Sequence, residues 1–255
     1  MQSNPQDRLN EHLLEHDFDY DEGHRERYLT AKTIAEHYAR AENAVAVLSN
    51  MGCDVSYICY GHLGEKLGLG RCDQNDEVES IWEQKLLDRV HPDDVAEKVA
   101  WELRFIAYLQ QLPISERSDY YLQHFLRIQD ADGTYHYLRH RIFYLDYDHA
   151  GHVLLALCLY TAVAQSQGTA GIVYSLSDTL VRDSGRSTQG LLSERERSIL
   201  EQISRGLASK QIADALCLSV NTVNNHRQNI MRHLNCQNTT QAVSVARALG
   251  LLSPQ

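Results

Sequence analysis

The sequence predicts an α+β chain in two parts: an antiparallel sheet with helices, then an all-α domain of four helices. Three observations carry this expectation. The apolar period changes along the chain: helical to about residue 43, β-rich at 44–61 and 120–164, and helical again after 190. Gly- and Asp-rich breaks divide the β-rich stretches into short runs of strand length. Charge divides the chain near the last of these changes. Residues 190–255 carry seven Lys or Arg against four acids, a net +3, which leaves −13 on the rest of a chain whose total is −10.

The elements follow in order. In residues 1–43, Leu9, Leu13 and Leu14 keep helical spacing, and Leu29, Ile34, Ala35 and Tyr38 form one apolar stripe on a second helix. AVAVLSN and DVSYICYG, from Ala44 to Gly61, read as a hairpin, and His62 to Gly70 as a short helical turn. Residues 77–112 read as helical. Pro92 interrupts them and suits the first turn of the helix that follows, with Asp93 and Asp94 near its positive end. From Tyr120 three strands are separated by DADG and DHAG, turn sequences whose glycines supply positive φ. Residues 165–189, rich in Ser, Gly, Thr and Gln, read as a linker, although GIVYSLSDTLV within it could make one more strand or hairpin.

Composition sets bounds. With 255 residues the chain can bury a sizeable core, and 43% hydrophobic with 23% charged residues excludes whole-chain disorder. No apolar run approaches the roughly 18 residues of a membrane span, and the N-terminus lacks the basic start and apolar stretch of a secretory signal. Cys53, Cys59, Cys72, Cys158, Cys217 and Cys236 form no CxxC pair and read as reduced, mostly buried thiols of a cytoplasmic protein.

The last 65 residues are the most specific. Ser193 with Glu196 makes a capping box before the stripe Ile199, Leu200, Ile203 and Leu207, and Gly206 ends that helix. Ser209 opens a short helix with Ile212, Ala213 and Leu216 inward. A tight turn at Cys217-Leu218-Ser219 leads into a longer helix capped by Ser219. A last helix runs from about Asn238 to Leu249. Two helices joined by a short turn, the second rich in amides and bases, make a helix-turn-helix. At 100° per residue, Val223, Ile230, Met231 and Leu234 fall on one side of the third helix. Asn221, Asn224, Asn225, Gln228 and Arg232 fall on the other. A face with three Asn and a Gln is poor for helix propensity, but both residue types pair bidentately with adenine in the major groove. The plainer reading is a solvated polar face.

LSERERSIL, GLASKQIADAL, LSVNTVNNHRQNI and the closing AV and GLL resemble the LuxR-type (GerE-like) helix-turn-helix domain of bacterial transcription regulators, over Leu192 to Leu252. The resemblance implies that the helix at 219–234 enters the major groove of double-stranded DNA and that the fourth helix pairs two domains in a homodimer. It implies base contacts from Asn224, Asn225 and Gln228, and phosphate contacts from Lys210, Thr222, Arg227 and Arg232. His226 matches a histidine of the family, as a phosphate contact or as a structural group. Asn224 stands where the family commonly has Lys, which makes the salt dependence shallower.

Residues 44–164 resemble a PAS domain: two strands, short helices, one longer helix, then three strands. VHPDD and DADGTYHYLRHRIFYL are similar to PAS elements. The resemblance implies a sensor or dimerisation domain with room for a small molecule. The cofactor is unknown; no His lies between Asp93 and Leu112 to bind haem axially, and Cys72 lacks the neighbours of a flavin photosensor. The pairs His12/His16, His136/His140 and His149/His152 have no fixed third ligand, so no metal is expected. No phosphate loop, nucleophile elbow or HExxH occurs, and no enzyme is expected. The expected protein is a DNA-binding regulator, with a PAS module whose tail binds another protein as the rival reading.

Overall fold

A computed structural model describes residues 5–163, 172–176, 180–181, 192–234, 236–248 and 251–252. Helices α1 (Pro5–Leu13) and α2 (His24–Ala41) precede strands β1 (Val45–Asn50) and β2 (Val55–Tyr60). Then come α3 (His62–Lys66), β3 (Asn75–Val78), α4 (Gln84–Leu87), α5 (Pro92–Leu109) and α6 (Ile114–Arg117). Strands β4 (Tyr120–Gln129), β5 (Tyr135–Tyr147) and β6 (Val153–Ala162) follow, with short β7 (Ile172–Ser175) and β8 (Leu180–Val181). Four helices close the chain: α7 (Glu194–Ser204), α8 (Ser209–Leu216), α9 (Val220–His233) and α10 (Thr239–Ala248). The α+β class stands as expected; the two strands, helices and three strands occur in the expected order, with a further strand, β3, among the helices.

The strands form one antiparallel sheet in the order β3-β2-β1-β6-β5-β4-β7-β8. The linker expected at 165–189 contributes β7 and β8, so its hairpin alternative holds at those residues; the remainder of it, apart from Leu176, lies outside the described residues. The helical reading of 77–112 is wrong at its start. Residues 75–78 are an edge strand on β2, with Ser56 opposite Val78 and Cys59 opposite Asn75. Asn, Asp and Glu are poor strand formers, so NDEV gives no strand signal; β2 supplies the order. Charge on such an edge also discourages further pairing.

Both sheet faces are covered at β1, whose six residues are all buried. On one face Val47, Ile58, Leu63, Leu86, Leu126 and Leu138 make a core with α3 and α4. On the other, α2 presents Ala31, Ala35 and Ala39, one turn apart, to Ala46, Leu48 and Leu157. Small side chains there let helix and sheet approach closely. A polar cluster around the buried Asp146 fixes the start of α2: Asp146 on β5 accepts from His24 Nδ1 at 3.0 Å and lies 2.9 Å from Nε of the partly exposed Arg27.

The two expected turns share one design. In Asp130–Gly133 and Asp148–Gly151 the glycine takes φ of +88° and +87°. Asp130 Oδ1 accepts the N–H of Thr134 at 2.9 Å, and Asp148 Oδ1 accepts that of His152 at 2.8 Å. The second carboxylate oxygen faces a histidine ring: His136 on Asp130 at 2.6 Å, His152 on Asp148 at 2.8 Å. The histidine pair expected on β5 therefore divides. His136 serves a turn, while His140 is buried, 2.8 Å from His124 and stacked on Tyr160. Asp94 at the start of α5 does more than sit near the helix's positive end: it accepts the Arg127 N–H at 2.8 Å and ties α5 to β4.

All six cysteines are free. The expectation of mostly buried thiols needs correction, since Cys59 alone is buried while Cys53 and Cys217 are exposed. Both exposed thiols lie in tight connections between elements, where surface backbone is the rule. Burial pushes the Cys59 thiol up to about 12, helped by nearby Glu36, and burial does the same to Cys236.

The chain divides into two compact units, one of residues 10–95 and 109–183 and the other of 1–9, 96–108 and 184–255. The first holds the whole sheet. In the second, Leu192, Ile199, Leu200, Ile212, Val223 and Ile230 form the core, joined by Ala96 and Ala100.

Candidate nucleic-acid interface

Each helix of the C-terminal module is bounded by its own sequence. Ser193 accepts the Glu196 N–H at 3.2 Å, and the Glu196 carboxylate returns to the Ser193 N–H at 2.9 Å, closing the expected capping box. Gly206 follows the end of α7 with φ +84°. Gln211 accepts the Ala208 N–H at 2.8 Å and opens α8. Cys217, in the left-handed conformation, ends α8, and Ser219 caps α9 by accepting the Thr222 N–H at 3.0 Å.

These limits fix how α9 is rolled. Val223, Ile230 and Leu234 have no exposed surface and pack it into the module. Helical periodicity then turns Asn221, Asn224, Asn225 and Gln228 outward, and all four are exposed. Four uncharged amides on one outward face of a 14-residue helix supply paired donors and acceptors at about 5–6 Å intervals. That array can hydrogen-bond base edges in a groove that admits a helix.

The basic groups expected near it are placed unevenly. Lys210, at the start of α8, and Arg232, near the end of α9, are exposed. Arg232 donates to Asn229 at 3.1 Å. Thr222 is half-buried, its hydroxyl 2.8 Å from that of Ser219. Arg227 is half-buried too and bridges Ser209 at 3.3 Å and Thr239 at 3.2 Å, joining α9 to α8 and α10. His226 is half-buried, and its Nδ1 has no hydrogen-bond partner among the described residues.

Two supports of the interface give no sequence signal. His233 lies 3.3 Å from the Glu196 carboxylate, so the acid that caps α7 also faces the end of α9. Arg195 donates to the Leu216 carbonyl at 3.0 Å and ties α7 to the close of α8. Both join groups more than 20 residues apart, beyond any capping or periodicity rule.

The module also has relatives. The family model described as bacterial regulatory proteins, luxR family, matches residues 190–246. Regulatory protein SdiA of Escherichia coli (strain K12) is 42% identical over 60 residues, 24% of this chain and 25% of SdiA. The HTH-type quorum-sensing regulator RhlR of Pseudomonas aeruginosa is 44% identical over 61 residues, 24% of this chain and 25% of RhlR. The chain thus matches about a quarter of the length of these relatives. A sensory box histidine kinase/response regulator from Burkholderia thailandensis E264 superposes with a TM-score of 0.34 and 18% identity, over 50% of this chain and 82% of that one.

Proposed function

With residues 190–246 a luxR-family helix-turn-helix, we propose that this protein is a DNA-binding transcription regulator acting in the cytoplasm as a homodimer. Helix α9 enters the major groove; Asn224, Asn225 and Gln228 face base edges, and Lys210, Thr222 and Arg232 meet phosphates. Arg227 and His226 reach the same backbone from half-buried positions. The carrying observation is the exposed amide row opposite the buried Val223, Ile230 and Leu234. A face committed to solvent alone gains nothing from three asparagines, which are weak helix formers. The PAS-like sheet unit takes a small molecule or pairs two chains. Its signal shifts the population in which two copies of α9 are spaced for DNA.

Selection of random duplexes by the full chain at fixed salt tests this. The expected result is an enriched two-fold symmetric site. Asn225→Ala and Gln228→Ala should each cost about 1–3 kcal/mol of discrimination at one position of that site. Lys210→Ala should weaken all duplexes alike and flatten the salt slope by about one. Loss of duplex binding altogether, with retained capture of a protein partner, would favour the rival reading.

A further inference from the structure

The sheet unit contains a cavity of about 230 Å³ between the β2–β3 edge and α4. That is below the roughly 300–1,000 Å³ of cavities that hold drug-sized ligands, so its occupant is small. The inner wall is apolar: Val45, Ile58, Leu69 and Leu86 line it, and all four are buried. The charge around it is one-sided. Asp76, Glu79 and Glu83 contribute three carboxylates against the single ammonium of Lys85, which donates to the Leu69 carbonyl. Glu83 is only 6% exposed, and Asp76 is oriented by the Tyr60 hydroxyl at 2.9 Å. Trp82 adds an aromatic ring to the same wall.

We propose that this cavity binds a small organic cation, a protonated amine on a compact apolar body. The body fits the aliphatic wall, where its burial is favourable. The ammonium lies toward Asp76 and Glu83, which attract it more strongly near low-dielectric walls than in water. The Trp82 ring is the aromatic type that best stabilises a cation over its face. A carboxylate or phosphate ligand would meet three like charges and one ammonium already engaged. The inference deepens the reading of the sheet unit as the ligand-taking part of the protein and rests on that reading.

Calorimetric titration of the full chain at pH 7 compares three isosteres: 2-phenylethylammonium, 2-phenylethanol and phenylacetate. The cation should bind at least tenfold tighter than either of the others. Asp76→Asn, on the exposed rim, and Glu83→Gln should each lose at least fivefold for the cation and little for the alcohol. Val78→Trp, which enlarges a side chain lining the cavity, should abolish uptake of all three. Thermal melts check folding, and Asp76→Asn keeps the test valid if Glu83→Gln does not fold. The proposal is overturned if the cation fails to bind, if the alcohol or acid binds as well, or if Asp76→Asn leaves the preference intact. Duplex binding measured on the same samples separates the two claims. A chain that binds its duplex but no cation defeats the cavity proposal alone. A chain that takes up the cation but never binds a duplex defeats the regulator reading alone.

Discussion

The helix-turn-helix module and the sheet unit are held together over different lengths of chain. In the module the decisive contacts are local. Ser193 meets Glu196 three residues on, Ser219 meets Thr222 at the same interval, and Val223 and Ile230 recur at helical spacing. In the sheet unit the decisive polar contacts span the sequence: His24 bonds Asp146 across 122 positions, and Arg141 reaches the Tyr38 hydroxyl across 103. Local contacts cost little loop entropy and build a unit from short signals; distant ones form only when the sheet already has its register.

Four measurements break or sharpen that contrast, and the core comes first. Ile230→Ala removes a side chain with no exposed surface, and about 3 kcal/mol of stability should go with it. Urea unfolding of the full chain should show the loss in the transition that carries duplex binding, with the sheet's transition little moved. Asp146→Ala does the reverse. It strips a carboxylate partner from both His24 and Arg27 and should cost about 2 kcal/mol, read as a lower midpoint of the sheet transition. Ser193→Ala opens the capping box and should cost about 1 kcal/mol, confined to the module.

Acidification gives the smallest effect. The Asp130 carboxyl is held below its ordinary range by the His136 ring first and the Thr134 N–H second. A carboxyl depressed on folding stabilises fully above its unfolded value, about pH 4, and that contribution is lost as pH falls through the folded value. Amide exchange at Thr134 should therefore accelerate below about pH 4. His136→Phe should remove most of that dependence.

The same contrast explains what the sequence reveals. The first three helices of the module are legible from caps and stripes, and so is the outward set Asn224, Asn225 and Gln228, because helical geometry alone fixes them. The two Asp-x-x-Gly turns are legible for the same reason. Strand β3 is not: Asn75–Val78 has no strand propensity of its own and takes its order from β2. The bridge from Arg227 to Ser209 and Thr239 is hidden too, since a half-buried arginine and a free one look alike in sequence. The cavity under β3 shares that obscurity, because its carboxylates converge only once the edge strand has paired.

The corner between α8 and α9 rests on Cys217, whose φ is +53°. A side chain in that conformation costs roughly 1–2 kcal/mol relative to the right-handed region. The corner is therefore imposed by the two helices it joins, against the preference of its own residue. Cys217→Gly would relieve that strain, and in the unaltered chain the exposed Cys217 thiol offers a chemical label at the corner itself.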